Sequence, residues 1–183
     1  MKLTIKNARL AFPKLFKAEQ VNGEGEPKFG AAFLLPPNHP SIVELKKAFD
    51  TVGQAKWGEK WPAVKKQLET GDKLALHNGD TKSDLDGYEG NFFINAATAT
   101  RPLVIDAARN PLTAEDGKPY AGCYVNASIE LWAQDNKFGK RINASLRGVQ
   151  FYKDGDAFAG GGAADVEEFD DLSVGEGIDA EFA

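Results

Sequence analysis

A single cysteine and two histidines leave this 183-residue chain little from which to build a disulfide or a metal site. Cys123 has no partner for an internal disulfide and lies in an apolar strand pattern, which suits a reducing cytoplasm. His39 and His77 stand in His-Pro and His-Asn turn contexts. A zinc site would have to add carboxylates or Cys123, at spacings the chain does not offer. No run of about 18 apolar residues exists, so no transmembrane helix is expected. MKLTIKNARL at the N-terminus alternates charged and apolar residues, without the unbroken apolar stretch of a signal peptide.

The motifs of several enzyme classes are missing too. No nucleophile elbow accompanies any Ser-His-Asp combination. The glycines of NGEGEP (22–27) precede no Lys-Ser/Thr pair, so there is no phosphate-binding loop. Asp84, Asp86 and Gly87 resemble part of a calcium loop, but that register puts Lys82 and Phe93 at its first and last ligand positions. A nuclease centre around Glu26-Pro27-Lys28 lacks clustered partner acids. No catalysis and no cofactor are expected.

Bases are absent from one whole stretch. Asp154 to Ala183 holds six Asp (154, 156, 165, 170, 171, 179) and four Glu (167, 168, 176, 181) with no Lys or Arg. The remaining 17 acids (27 less these 10) face all 22 bases, so residues 1–153 carry +5 and the tail −10, summing to the net −5. Such asymmetry points to a nucleic-acid surface with an acidic appendage; the plainer alternative is a solubilising tail.

What is present is mostly strand. KLTIKNARLAF (2–12) alternates and then changes phase near Asn7, as a bulged strand does. VNGEGEP (21–27) reads as a polar loop, with Lys14, Phe16 and Lys17 at the start of an exposed segment before it. KFGAAFLLP (28–36) is an apolar strand. Residues 39–57 set Ile42, Leu45 and Phe49 on one helical face, and a shorter helix follows from Pro62 to Gly71. Trp57 and Trp61 suit packing at the helix ends. After a turn-rich loop (79–90) come strands at 91–100 and 102–106, a loop at 109–119, and two strands at 122–133 and 139–152. This pattern predicts a mainly β chain with a helical insertion (α+β): an OB-fold-like Greek-key barrel with extended hairpins over 1–155, then a disordered, Gly-rich acidic tail over 156–183.

The last hairpin carries the most chemistry. Val125, Ala127, Ile129 and Leu131 share one face, and Tyr124, Asn126, Ser128, Glu130 and Trp132 the other. In the second strand Ile142, Ala144 and Leu146 oppose Arg141, Asn143, Ser145 and Arg147. A loop centred between Asn136 and Lys137 would match Leu131 with Ile142 inward and lay Trp132 beside Arg141, and Asn126 beside Arg147, outward. Gly148 interrupts the second strand as a bulge would, turning Val149 and Phe151 inward. Aromatics beside guanidinium groups suit single-stranded nucleic acid, whose bases stack on rings while cations hold phosphates. The candidate contacts are Trp132 and Tyr124 for stacking, with Arg141, Arg147, Lys140, Lys137, Lys14 and Lys17 for the backbone. The opposing reading covers Trp132 and Tyr124 with the helical insertion and makes Arg141 a structural cation–π partner.

RLAFPKLF (9–16), GCYVNASIELW (122–132), VQFYKDG (149–155) and FAGGG before an acidic end resemble a family of bacteriophage single-stranded DNA-binding proteins. The resemblance implies an OB-fold that coats single strands during replication and recombination in the infected host's cytoplasm. It also implies an acidic tail, here Phe169, Asp170, Asp171, Glu181 and Phe182, that recruits partner proteins. Ala183 follows Phe182, a departure from tails that close on Phe. The rival classes are a DNA-mimicking or chaperone-like interaction protein and a metal-dependent nuclease.

Overall fold

A computed structural model of the chain describes residues 1–21, 23–158 and 169–174. Strands β1 (Lys2–Val21) and β2 (Glu24–Leu35) lead into helices α1 (Pro40–Trp57) and α2 (Trp61–Thr70). Then come β3 (Leu76–Asn78), β4 (Phe92–Thr98), β5 (Leu103–Ile105), β6 (Tyr124–Asn136) and β7 (Gly139–Lys153). Successive pairings β1–β2, β2–β4, β4–β7, β7–β6 and β6–β1 close a five-stranded barrel. The closing contact is parallel, Ala97 against Ser145, which removes the open edges of those strands. No helix among the described residues is long and apolar enough to cross a membrane.

Strand period explains the interior. In β2, Ala31, Phe33 and Leu35 enter the main core, while Ala32 and Leu34 face a smaller cluster with Ala11, Tyr88 and Phe93. Because both faces are covered, this strand reads as a continuous apolar run. In β6 the alternation is complete: Val125, Ala127, Ile129 and Leu131 are buried, and the residues between them are partly or fully exposed. Burial pushes the Cys123 thiol up to about 11, so it stays protonated and unreactive inside the core.

The hairpin register differs from expectation by two residues. Leu131 faces Ala144 and Trp132 faces Asn143, with Lys137 and Phe138 forming the turn. Asn136 Oδ1 accepts from the Phe138 backbone N–H at 2.9 Å, so the amide caps the turn while its own backbone stays in the strand. A two-residue slip preserves both faces, which is why the inward and outward sets survive. Arg147 is the extra residue of a bulge beside Gly148, and the slip and the bulge together set Asn126 opposite Gln150 instead of Arg147.

Of the segment expected as a loop at 21–27, Val21 ends β1 and residues 24–27 open β2, so a hairpin arm takes its place, with β1 running unbroken through Lys14, Phe16 and Lys17. Three register shifts between Ala11 and Val21 absorb the polar residues that concealed it. β3 is too short to show a period. At the other end, residues 154–158 stay on the body. Arg9 donates to the carbonyls of Gly122 (3.0 Å) and Asp156 (2.7 Å) and lies 4.3 Å from the centre of the Phe158 ring. A Cβ on Gly122, whose φ is +104°, would collide with the Asp156 carbonyl.

α1 packs on β6, and Trp57 Nε1 donates to Asp135 at 2.9 Å. Trp57 stacks on Trp61 at 5.8 Å and 9°. The Trp61 indole donates to Asp50, which also binds Lys65 at 2.8 Å; the lysine's hydrogen bond, then the indole's, hold that carboxyl below its ordinary range. Both tryptophans are buried and structural. Gly53 lies directly under the Trp61 ring, where a Cβ would overlap it. In an exposed helix interior Gly→Ala stabilises by about 1 kcal/mol. Gly53→Ala should instead destabilise by about 1–3 kcal/mol, measured by urea unfolding, because the ring must be displaced.

Candidate nucleic-acid interface

A groove of about 1130 Å³ runs across the outside of the barrel. Its walls come from the β1–β2 arm, β4, the outer face of the β6–β7 hairpin, and the segments at 73–77 and 82–88. Five cations line it, Lys14, Lys28, Lys73, Lys82 and Arg141, against one acid, Glu19. Its floor is small: Gly30, Ala31, Ala32, Ala96 and Ala97. Small residues let a ligand backbone come close to the sheet. Glycine at position 30 is required there, since a Cβ would lie 2.7 Å from the Ala96 carbonyl oxygen.

Three exposed rings border this space: Phe12 (54% exposed), Trp132 (44%) and Phe138 (78%). Exposing a Phe at each of two sites forfeits burial free energy, and with Trp132 on the same groove these rings are candidates for a binding surface. Phe12 reaches the groove through a backbone irregularity. Strict alternation after Leu10 would send it into the core, but a positive φ of 48° at a bulge turns it outward. Such strain in a non-glycine residue collects at functional sites. The Phe12 ring lies 6.2 Å from Tyr88, whose hydroxyl is pushed up to about 12 by burial and so remains neutral.

The sequence-predicted contacts are divided by the structure. Trp132, Arg141 and Lys14 come together in the groove. Arg141 and Trp132 form no cation–π pair among the described residues, and Trp132 stays exposed. The helices cover the hairpin at Asp135 instead. Arg141 Nε is buried without a hydrogen-bond partner among the described residues. Lys137 is at the hairpin tip, its Nζ 5.1 Å from the Phe138 ring centre. Arg147 and Lys140 lie outside the groove lining, paired with Glu130 (3.5 Å) and Asp135 (3.9 Å). Lys17 is exposed on the arm and also outside it.

Tyr124 belongs to a different place. It sits at the far end of β6, with Lys153 Nζ 4.9 Å and Arg9 Cζ 5.9 Å from its ring centre, beside Gly155. Phe169, Asp170 and Asp171 are exposed, and hydrogen bonds from the Ser173 hydroxyl and backbone N–H lower the Asp171 carboxyl. Glu181, Phe182 and Gly160 to Gly162 lie outside the described residues. Sequence reasoning missed Lys28, Lys73, Lys82, Phe12 and Phe138. Only the last had a local signal, an apolar residue at a turn. The others become neighbours through β-pairing between distant segments.

The family model described as the Enterobacter phage Enc34 single-stranded DNA-binding protein matches residues 1–181. Protein p50 of Acyrthosiphon pisum secondary endosymbiont phage 1 is 49% identical over 179 residues, 96% of each chain. Among solved structures, the bacteriophage Enc34 single-stranded DNA-binding protein in complex with single-stranded DNA superposes with a TM-score of 0.71 at 27% identity, covering 86% of this chain and 89% of that one. The bacteriophage T7 single-stranded DNA-binding protein gp2.5 shares the fold at a TM-score of 0.58 and 12% identity, covering 93% and 96%. The match across the whole barrel places this chain in the family of the phage Enc34 single-stranded DNA-binding protein.

Proposed function

We propose that this protein binds single-stranded DNA in the groove, without catalysis, and coats strands exposed during phage replication or recombination in the host cytoplasm. The observation that carries the reading is the groove itself, with five cations, one acid and three exposed rings. Phosphates lie along Lys14, Lys28, Lys73, Lys82 and Arg141, and bases stack on Trp132, Phe12 and Phe138. Each stacked base contributes about 1–3 kcal/mol with little dependence on sequence. The DNA complex of the Enc34 relative supports the reading. The relatives are described as DNA-binding proteins rather than enzymes, which weighs against the nuclease. A DNA mimic would have no use for a cationic groove.

The tail acts as an intramolecular competitor for this groove. Its acids are tethered to the body just beyond the Arg9–Phe158 contact, so their effective concentration at the cations is high. When DNA displaces it, Phe169 and Phe182 become apolar anchors among acids for a basic, hydrophobic pocket on a replication or recombination protein. Deleting residues 165–183 should tighten single-strand binding about two- to tenfold at low salt, for a tether near 1 mM and weak surface ion pairing. The gain should shrink as salt screens the competition. Fluorescence anisotropy with labelled oligo(dT) across a salt series tests this. A solubilising tail predicts equal affinity with and without residues 165–183 at every salt concentration.

A further inference from the structure

We propose that Ser145 is a positioning residue that sets the Trp132 ring for base stacking; this rests on the DNA-binding reading of the groove. Trp132 Nε1 donates to Ser145 Oγ at 2.9 Å. The two residues are diagonal neighbours on the outer face, since Trp132 pairs directly with Asn143 and Ser145 lies two positions further along β7. An exposed indole on a strand is ordinarily free to swing about its side-chain torsions. Here one edge of the ring is tied to the barrel, while 44% of the residue remains accessible to solvent.

Ser145 is well placed for this task. Its backbone makes the parallel contact with Ala97 that closes the barrel, so its hydroxyl projects from a fixed point. The surrounding polar groups bond to one another rather than to the indole. Asn143 Nδ2 donates to Gln134 Oε1 at 3.0 Å, Gln134 Nε2 reaches Asn136 Oδ1 at 3.4 Å, and Asn136 Oδ1 caps the Phe138 turn. This chain leaves the Ser145 hydroxyl as the group that bonds the indole N–H among the described residues. The Asn-Ala-Ser stretch at 143–145 thus has a structural use: its Asn stiffens the hairpin tip and its Ser orients the ring.

A ring held before DNA arrives does not have to be immobilised on binding. Ordering a free side chain costs an amount that corresponds to about three- to tenfold in affinity. Ser145→Ala should therefore weaken oligo(dT) binding about three- to tenfold at an unchanged melting temperature, and Ser145→Thr, which keeps the hydroxyl, should restore it. The decisive comparison is the same Ser145→Ala change on a Trp132→Phe background, which retains a stacking ring but has no N–H to orient. There the serine change should have no effect. An equal loss on both backgrounds, or no loss on either, overturns the positioning role while leaving DNA binding in the groove intact. Should Trp132→Ala itself leave oligo(dT) affinity unchanged, the ring does not stack, and both its assignment and the role of Ser145 fall.

Discussion

Replacing Lys14, Lys28 and Arg141 together with glutamine should weaken single-strand binding about a hundredfold at ~0.1 M salt and flatten its salt dependence. The estimate follows from counterion release. Each phosphate contact on a single strand contributes about 0.7 to the log–log slope, so three lost contacts remove about two, and one decade below 1 M salt that is about two decades in affinity. These three residues come from the β1 bulge region, β2 and β7, and they share the groove. Arg147→Gln with Lys140→Gln is the matched control on the same hairpin. Both are already paired, with Glu130 and Asp135, and neither lines the groove. That double variant should leave the slope nearly unchanged, since exposed ion pairs are weak. A salt titration from low to moderate ionic strength reads both. If the control variant flattens the slope as much as the triple variant, DNA follows the hairpin's outer edge instead of the groove.

The difference between these two sets shows what the sequence could convey. Period-2 alternation made the two faces of β6 and β7 legible, and a register error of two residues did not disturb them, because faces repeat every two residues. Helix α1 was equally plain, since Ile42, Leu45 and Phe49 repeat with helical spacing and Pro40 and Ser41 mark its start. The β1–β2 arm was hidden because the polar and glycine residues that open β2, 24–27, carry loop composition although they lie in a strand. The site was half legible for a related reason. Trp132 and Arg141 are local to one hairpin, and their pattern could be read there. Lys28, Lys73 and Lys82 precede the start of that hairpin at Tyr124 by 96, 51 and 42 residues, and closure of β4 on β7 brings them to it. Phe12 was missed because of a backbone exception. Alternation sends it inward, and the positive φ that turns it out leaves no mark in composition.

Two adjacent substitutions should separate folding from binding more sharply than any distant pair. Leu131 and Trp132 are consecutive in β6, one buried at 1% exposure against the barrel core, the other accessible at 44% in the groove. Leu131→Ala removes buried methyl groups from a close-packed interior, and the surrounding strands cannot collapse to fill the void because the barrel is closed. It should destabilise by about 2–5 kcal/mol. At about 2–4 °C per kcal/mol for a chain of this size, the melting point should fall visibly while the folded fraction binds DNA normally. Trp132→Ala should reverse the pattern. The melting point should fall far less, because Trp132 stands 44% exposed on the outer face, yet affinity for oligo(dT) should fall by about 1–3 kcal/mol. Fluorescence supplies an independent check. Trp57 and Trp61 are buried and stacked on each other between helices, so quenching of tryptophan emission by DNA should arise from Trp132 and vanish in Trp132→Ala. Quenching that persists would mean DNA reaches the helical insertion. A Trp132→Ala variant that unfolds early while its folded fraction keeps full affinity would make the exposed face structural, and the groove would lose its principal stacking ring.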